Sequence, residues 1–363
     1  MQRYAINKMA TTIKVGLIGY GMAGQVFHAP IITSVPGLEL TKIRVTNPAH
    51  RQLATARYPE AELVHDSEKI FADKTIDLVV IATPNDLHYS LAEAALLAGK
   101  HVIVDKPFTI TAIEADNLIA LAEKQNKVLS VHHNRRWDSN ARTLRKIIAG
   151  DFVGRLVDLE IHFDRYRPFL RPGAWREEDT PGSGILYDLG AHLLDEAQCL
   201  FGLPEYITAD ERTQRTGSKT IDNFTVVLDY EAGFKVTLKA GMLVRQLGPT
   251  YVLHGEKGSF IKYGTDVQEV ALKAGQHPQN TPDWGVEPET NWGTLNTEYE
   301  GQHITGKIES EPGDYREYFI NVYQAITEGE GLAVTAEQAR NVIRLIELAR
   351  QSSAERRTIK LID

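Results

Sequence analysis

From Ile13 the apolar positions fall in short unbroken runs separated by longer stretches of helical period. Runs at 13–18, 38–45, 76–82, 101–104 and 128–132 read as strands, with a weaker one at 63–65. Between them lie a glycine loop with a helix running to Ser34, and helices at 49–58, 87–98 and 111–125. Gly99 is placed as the left-handed cap of the 87–98 helix. Strands without polar alternation, alternating with helices, predict a parallel sheet covered on both faces. That is the doubly wound, dinucleotide-binding α/β architecture of the Rossmann type.

The texture changes after residue 133. Val157, Leu159, Ile161 and Phe163 alternate with Asp158, Glu160 and His162, and strand-like runs follow at 223–230, 234–240 and 250–253. Consecutive strands joined by short turns predict an antiparallel sheet with one polar face. Residues 276–311 show no period and read as a long surface loop; helices return at 315–328 and 336–352. The division is therefore 1–133 as a dinucleotide-binding domain and 134–363 as a substrate-binding α+β domain. The helix near 336–352 is expected to pack back on the first domain, and 1–10 reads as an N-terminal extension with Met9 as a start.

Composition narrows the class. The chain has 363 residues, 42% apolar and 24% charged, with a formal net charge of -8, which argues against a nucleic-acid groove. No run approaches the roughly 18 apolar residues of a membrane span, and a signal-peptide core is missing. The lone Cys199 excludes an intramolecular disulfide and cysteine-rich metal sites. A cytoplasmic, reducing setting is expected.

Three motifs carry chemistry. Gly19, Gly21 and Gly24, with Met22 and Ala23 between, form G-x-G-x-x-G after a strand and before a helix, the context in which it cradles a pyrophosphate rather than making a plain turn. The second strand ends in Thr46 and Asn47 with no acid, and Arg51 follows; this favours NADP over NAD, the alternative being a merely polar strand end. The other strand ends deliver Thr83-Pro84-Asn85, Lys106-Pro107 and Asn134 to the edge where such sheets bind ligands. A proline restricts its predecessor, so Lys106 is expected extended and facing the cofactor crevice, able to steady a developing alkoxide. In 181–195, PGSGILYDLGAHLLD, Asp188 and His192 stand four apart on one helical face. They form either a solvated pair or a histidine general base beside a carboxylate. Arg165, Tyr166, Arg167 and Trp175 follow a strand and are weaker candidates for a polar substrate pocket, the alternative being a solvated strand end. His132 and His133 face opposite sides of a strand, no zinc spacing occurs, and no metal is expected.

GYGMAG at 19–24, ATPNDLH at 82–88, AGKHV at 98–102, DKP at 105–107 and YDLGAH at 187–192 together resemble the Gfo/Idh/MocA oxidoreductases. HNRRWD at 133–138, RYRP at 165–168 and GSFIKYG at 258–264 are similar to its NADP-dependent scyllo-inositol dehydrogenase branch. The resemblance implies a C-terminal domain with a large, mostly antiparallel sheet and a homodimer or homotetramer. It puts the family's cofactor- and substrate-contacting lysine on Lys106 and its aspartate and acid/base histidine on Asp188 and His192. Where the family has glutamate before the lysine, this chain has the shorter Asp105. Thr83, Pro84, Asn85 and His88 are expected along the nicotinamide side of the cofactor. The reading is an NADP-preferring dehydrogenase of a cyclic polyol or sugar. The alternatives are a family hydrolase or lyase that retains its nicotinamide, and a non-catalytic nucleotide-sensing protein.

Overall fold

Six strands, β1 (Ile13–Ile18), β2 (Leu38–Arg44), β3 (Glu62–Val64), β4 (Leu78–Ile81), β5 (His101–Asp105) and β6 (Leu129–His132), form one parallel sheet in the order β3-β2-β1-β4-β5-β6. The structure, a computed structural model, describes residues 11–361 except 172 and 174, and does not describe the side chains of Trp175 and Ala232. The expected extension, 1–10, thus lies outside the described residues. Val102, Ile103 and Val104 are wholly buried, as are all four residues of β4, because helices cover both faces. Asn47 caps the helix Pro48–Arg57, and a capping box of Thr111 and Glu114 opens Ala112–Gln125. Gly99 takes the left-handed conformation that ends His88–Leu97.

The second sheet has nine strands: β7 (Leu156–His162), β8 (Tyr206–Arg212), β9 (Asn223–Asp229), β10 (Lys235–Gly241), β11 (Tyr251–Gly255), β12 (Gly258–Lys262), β13 (Gly293–Tyr299), β14 (Gln302–Ile308) and β15 (Ile359–Lys360). Every neighbouring pair is antiparallel except β7 with β10. Leu159, Ile161, Phe224, Val226, Leu228, Val236 and Leu238 bury one face. The helix Ala336–Glu355 joins the two halves: Glu347 accepts from the Ala112 amide at 2.9 Å, and Arg340 pairs with Asp116 at 3.1 Å.

The expected loop over 276–311 is corrected. It contains the hairpin β13–β14, whose outer strand is exposed along nearly its whole length, so no apolar alternation marks it. The helices Ser139–Ala149 and Val267–Lys273 and the strand β8 also went unread. In the first of these, Ser139, Asn140 and Thr143 are buried beside Ala141, Leu144 and Ile147.

Candidate active site

Parallel strands bring all their carboxyl ends to one edge, and the unusual residues meet there. Gly19 has φ +102°, and a Cβ on it would lie 2.3 Å from the Ala82 carbonyl oxygen. A Cβ on Gly24 would lie 2.2 Å from the Gly19 oxygen. A Cβ on Gly21 would meet nothing within 4 Å. The first and third glycines thus let chain pass chain, while the second leaves the ground above the loop open to a ligand. Half-buried Ala23 and exposed Met22 complete the loop, and the turn Gly24–His28 that follows is π-helical.

At the end of β2, Thr46, Asn47 and Arg51 are exposed. The Asn47 Oδ1 accepts from the amides of Ala49 and His50 at 2.9 and 3.1 Å, which leaves its amide group to donate outward. Arg51 donates to the Leu63 carbonyl at 3.1 Å. Beyond β4, Thr83 Oγ1 donates to the Pro84 carbonyl at 3.3 Å, and Asn85 donates to the Gly182 carbonyl at 2.7 Å. His88 is fully buried, its ring nitrogens 2.8 and 3.0 Å from the carbonyls of Pro107 and Thr83. That placement makes it a pin between strand-end loops, with no ring nitrogen left for a cofactor.

Lys106, joined to Pro107 by a cis bond, crosses from β5 to the second sheet's side of the cleft. Its Nζ donates to the Asp188 carbonyl at 2.6 Å and to Asp188 Oδ1 at 3.2 Å. Arg176 Nε lies 3.4 Å from the same oxygen. Burial alone would raise Asp188, but the charges of Lys106, Arg176 and Arg165 overcome it and hold the carboxyl far below its usual range. Burial lowers Lys106, with Asp188 opposing that shift. His192 is 8% exposed, and its Nδ1 has no partner among the described residues. Burial, then the charges of Lys106 and Arg135, push it well below its ordinary value, which favours the neutral imidazole.

The expected Asp188–His192 pair does not form a hydrogen bond. Leu186–Gly190 is a π-helical turn, wider than an α turn, and it breaks the four-residue phase on which that expectation rested. Asp188 serves Lys106 and Arg176 instead.

Of the weaker candidates, Tyr166 is 42% exposed, and Arg245 donates to its hydroxyl at 3.1 Å. Its neighbours Arg165 and Arg167 bond through their amides to the carbonyls of Gly241 and Met242, extending β7 along β10. Residues on this extension alternate sides, and Arg165 is the one beside Asp188. The side chain of Trp175 lies outside the described residues. Asn134 is 6% exposed and opens the turn Asn134–Trp137. Sequence reading assigns no role to Arg135 and Arg176; it treats Asp105 and His132 singly, and their convergence with His28 from distant positions goes unread. No local spacing could announce that cluster.

The glycine loop and Lys106 leave the same edge of the parallel sheet, and Lys106 meets Asp188 near the buried His192; comparison with known proteins agrees with that picture. Residues 13–133 match the family model for an oxidoreductase NAD-binding Rossmann fold, and 145–361 match that family's C-terminal alpha/beta domain. The chain belongs to the Gfo/Idh/MocA oxidoreductases. As a member of that family it is an NAD(P)-dependent dehydrogenase acting on a CH–OH group. It is 40% identical to scyllo-inositol 2-dehydrogenase (NADP(+)) IolW of Bacillus subtilis (strain 168), over 98% of each chain. It is 44% identical to the oxidoreductase YdgJ of Escherichia coli (strain K12), over 97% of this chain and all of that one. The solved oxidoreductase yvaA of Bacillus subtilis superposes with a TM-score of 0.93 at 40% identity, covering 98% of this chain and 100% of that one. Among the described residues no helix is long and apolar enough to cross a membrane.

Proposed function

We propose that this Gfo/Idh/MocA dehydrogenase prefers NADP and acts on a cyclic polyol or sugar, with scyllo-inositol the first substrate to test. The observation that carries the reading is Lys106, held 2.6 Å from the Asp188 carbonyl beside the buried, neutral His192 at the mouth of the nucleotide-binding edge. The name of the IolW relative supports the substrate, since that protein's printed activity joins scyllo-inositol with NADP.

The residues fit a dinucleotide. The open ground above Gly21 suits a pyrophosphate, with Gly19, Met22, Ala23 and Gly24 forming the floor. Thr46, the free amide of Asn47 and the exposed part of Arg51 would meet a 2′-phosphate, where a carboxylate would repel it. Thr83, Pro84 and Asn85 would wall the nicotinamide side. The bound nicotinamide would supply the acceptor for the hydride leaving the substrate carbon.

His192 takes the hydroxyl proton in oxidation and returns it in reduction. Lys106 donates to the substrate oxygen and stabilises its negative charge as it develops. Asp188 holds the ammonium in place and, with Arg176, fixes its direction. Assembly as a homodimer or homotetramer through the outer face of the nine-stranded sheet belongs to the same proposal.

The test is a nicotinamide absorbance assay with NADP and NAD against inositol isomers and aldoses. NADP reduction with scyllo-inositol is expected. Arg51→Ala should cut the NADP-over-NAD preference by about tenfold, as loss of one charge-assisted contact does. NAD reduction only would overturn the cofactor preference; no reduction of either would overturn the substrate class.

A further inference from the structure

The carboxylate before the catalytic lysine has no role in the mechanism above, yet it is built into the protein with care. Asp105 ends β5, and its side chain is only 15% exposed. Its Oδ1 lies 3.3 Å from Nε2 of His28 in the π turn after the glycine loop, and 3.5 Å from Nδ1 of His132 on β6. Both histidines are buried, at 0% and 1% exposure. Their rings lie 4.3 Å apart, backed by Phe319 at 6.2 and 5.4 Å and by Tyr318 at 4.9 Å from His132. Neither nitrogen of His28, nor Nε2 of His132, has a hydrogen-bond partner among the described residues. The two rings approach Asp105 as close charge contacts, each bringing one nitrogen towards the same carboxylate oxygen.

We propose that Asp105 is a positioning residue for Lys106. Gripped between His28 and His132, it anchors the end of β5 from which the lysine departs, and it keeps a fixed negative charge behind the ammonium. The inference rests on the catalytic reading of Lys106. Lys106 faces Asp188 and His192 across the cleft and Arg176 from the preceding loop, with Asp105 behind it. Asp105 faces His28, His132 and His88, with His133 on the neighbouring turn. Asp188 is shared by Lys106, Arg176 and Arg165, so Asp105 supplies a second anion where cations outnumber carboxylates. Two imidazoles and one carboxylate at these separations also match the ligand set of a divalent cation. Charge balance disfavours that occupant: a dication here would add to Lys106 in a site closed by aromatic rings.

Asp105→Asn tests the idea in the full-length enzyme with NADP bound. Lysine labelling with acetic anhydride at graded pH, read by mass spectrometry, follows the titration of Lys106 without needing a substrate. Removing an anion beside a cation makes the cation lose its proton sooner. The labelling midpoint of Lys106 should thus move to lower pH, and kcat should fall at least tenfold with cofactor Kd little changed. Asp105→Glu should restore the midpoint but not kcat. His132→Gln, which keeps a donor, serves where Asp105→Asn does not fold, and should lower kcat several-fold. A Lys106 midpoint and kcat unchanged in folded Asp105→Asn, or in folded His132→Gln an unchanged kcat, would overturn the inference. So would one equivalent of transition metal in the wild-type protein that His132→Gln loses. If Lys106→Ala itself keeps full turnover, the catalytic reading of the lysine fails, and the labelling result separates that failure from this one.

Discussion

The two sheets solve the same packing problem and leave chemistry in different places. In the six-stranded sheet every strand runs the same way, so all the loops carrying Gly21, Asn47, Asn85 and Lys106 open at one edge. Its interior is spent on packing, with Val79, Val80, Val102 and Ile103 wholly buried. In the nine-stranded sheet neighbouring strands alternate direction except at the β7–β10 pair, and loops are divided between both ends. It contributes to the cleft by other means: the Leu186–Gly190 turn laid across its buried face, and Arg165 on an extension of β7. Direction of pairing thus decides whether a sheet builds a site from its ends or lends a surface to one.

The comparison breaks most sharply at the point where the halves meet. Lys106→Ala and His192→Ala should each lower kcat by about 10²–10⁴-fold, the usual range for losing a positioned proton-transfer group or charge stabiliser. Dinucleotide binding, measured by nicotinamide fluorescence, should change little. A Lys106→Ala enzyme with wild-type turnover would show that the parallel edge binds cofactor without doing chemistry.

A second break concerns stability within the antiparallel half. Lys262 on β12 is fully buried, and its Nζ reaches Glu287 at 2.5 Å, the Asn291 carbonyl at 2.7 Å and Ser310 at 3.2 Å. These three contacts fasten the segment that carries the exposed hairpin β13–β14 to the sheet. Glu287→Ala leaves the lysine buried and uncompensated, which should cost about 3–5 kcal/mol in urea unfolding. An unchanged midpoint would mean that the hairpin is held by its backbone pairing alone.

What was legible in the chain follows the same division. The parallel half is read almost completely because buried strands are continuous apolar runs and each ends in a chemically distinctive tip. The glycine loop, Lys106 and His192 come from local pattern, and the resemblance to the family adds their roles. The antiparallel half is read only where one face is strongly apolar, as in β9 and β10, whereas the exposed β14 has no pattern to read. Two errors have one origin. The pairing of Asp188 with His192 fails because a π turn intervenes, and the cluster of His28, Asp105 and His132 joins positions that only the tertiary fold brings together. Spacing arguments hold within regular elements and stop at their irregularities.

The smallest predicted effect sharpens the comparison within one helix. Asp188 and Glu196 lie about two turns apart on the same helical segment, and their surroundings push them in opposite directions. Asp188 faces cations in the cleft and is held far below its usual range. Glu196 faces the sheet, where burial pushes it up to about 7 although the Tyr251 hydroxyl donates to both its oxygens at 2.9 Å. In an unfolded chain both carboxyls titrate near ~4. The contribution of Asp188 is therefore present above that value and is lost as pH falls towards its depressed native titration. The contribution of Glu196 has the other sign: it is complete below ~4.3 and lost as pH rises through about 7. Glu196→Gln keeps the bond from Tyr251 and removes the titration. Its melting temperature relative to wild type should climb between pH 5 and pH 8, with activity little changed. Parallel melting curves for the two proteins across that range would mean that Glu196 is ionised in the folded state throughout, and that the sheet side of the helix tolerates a charge as readily as the cleft side does.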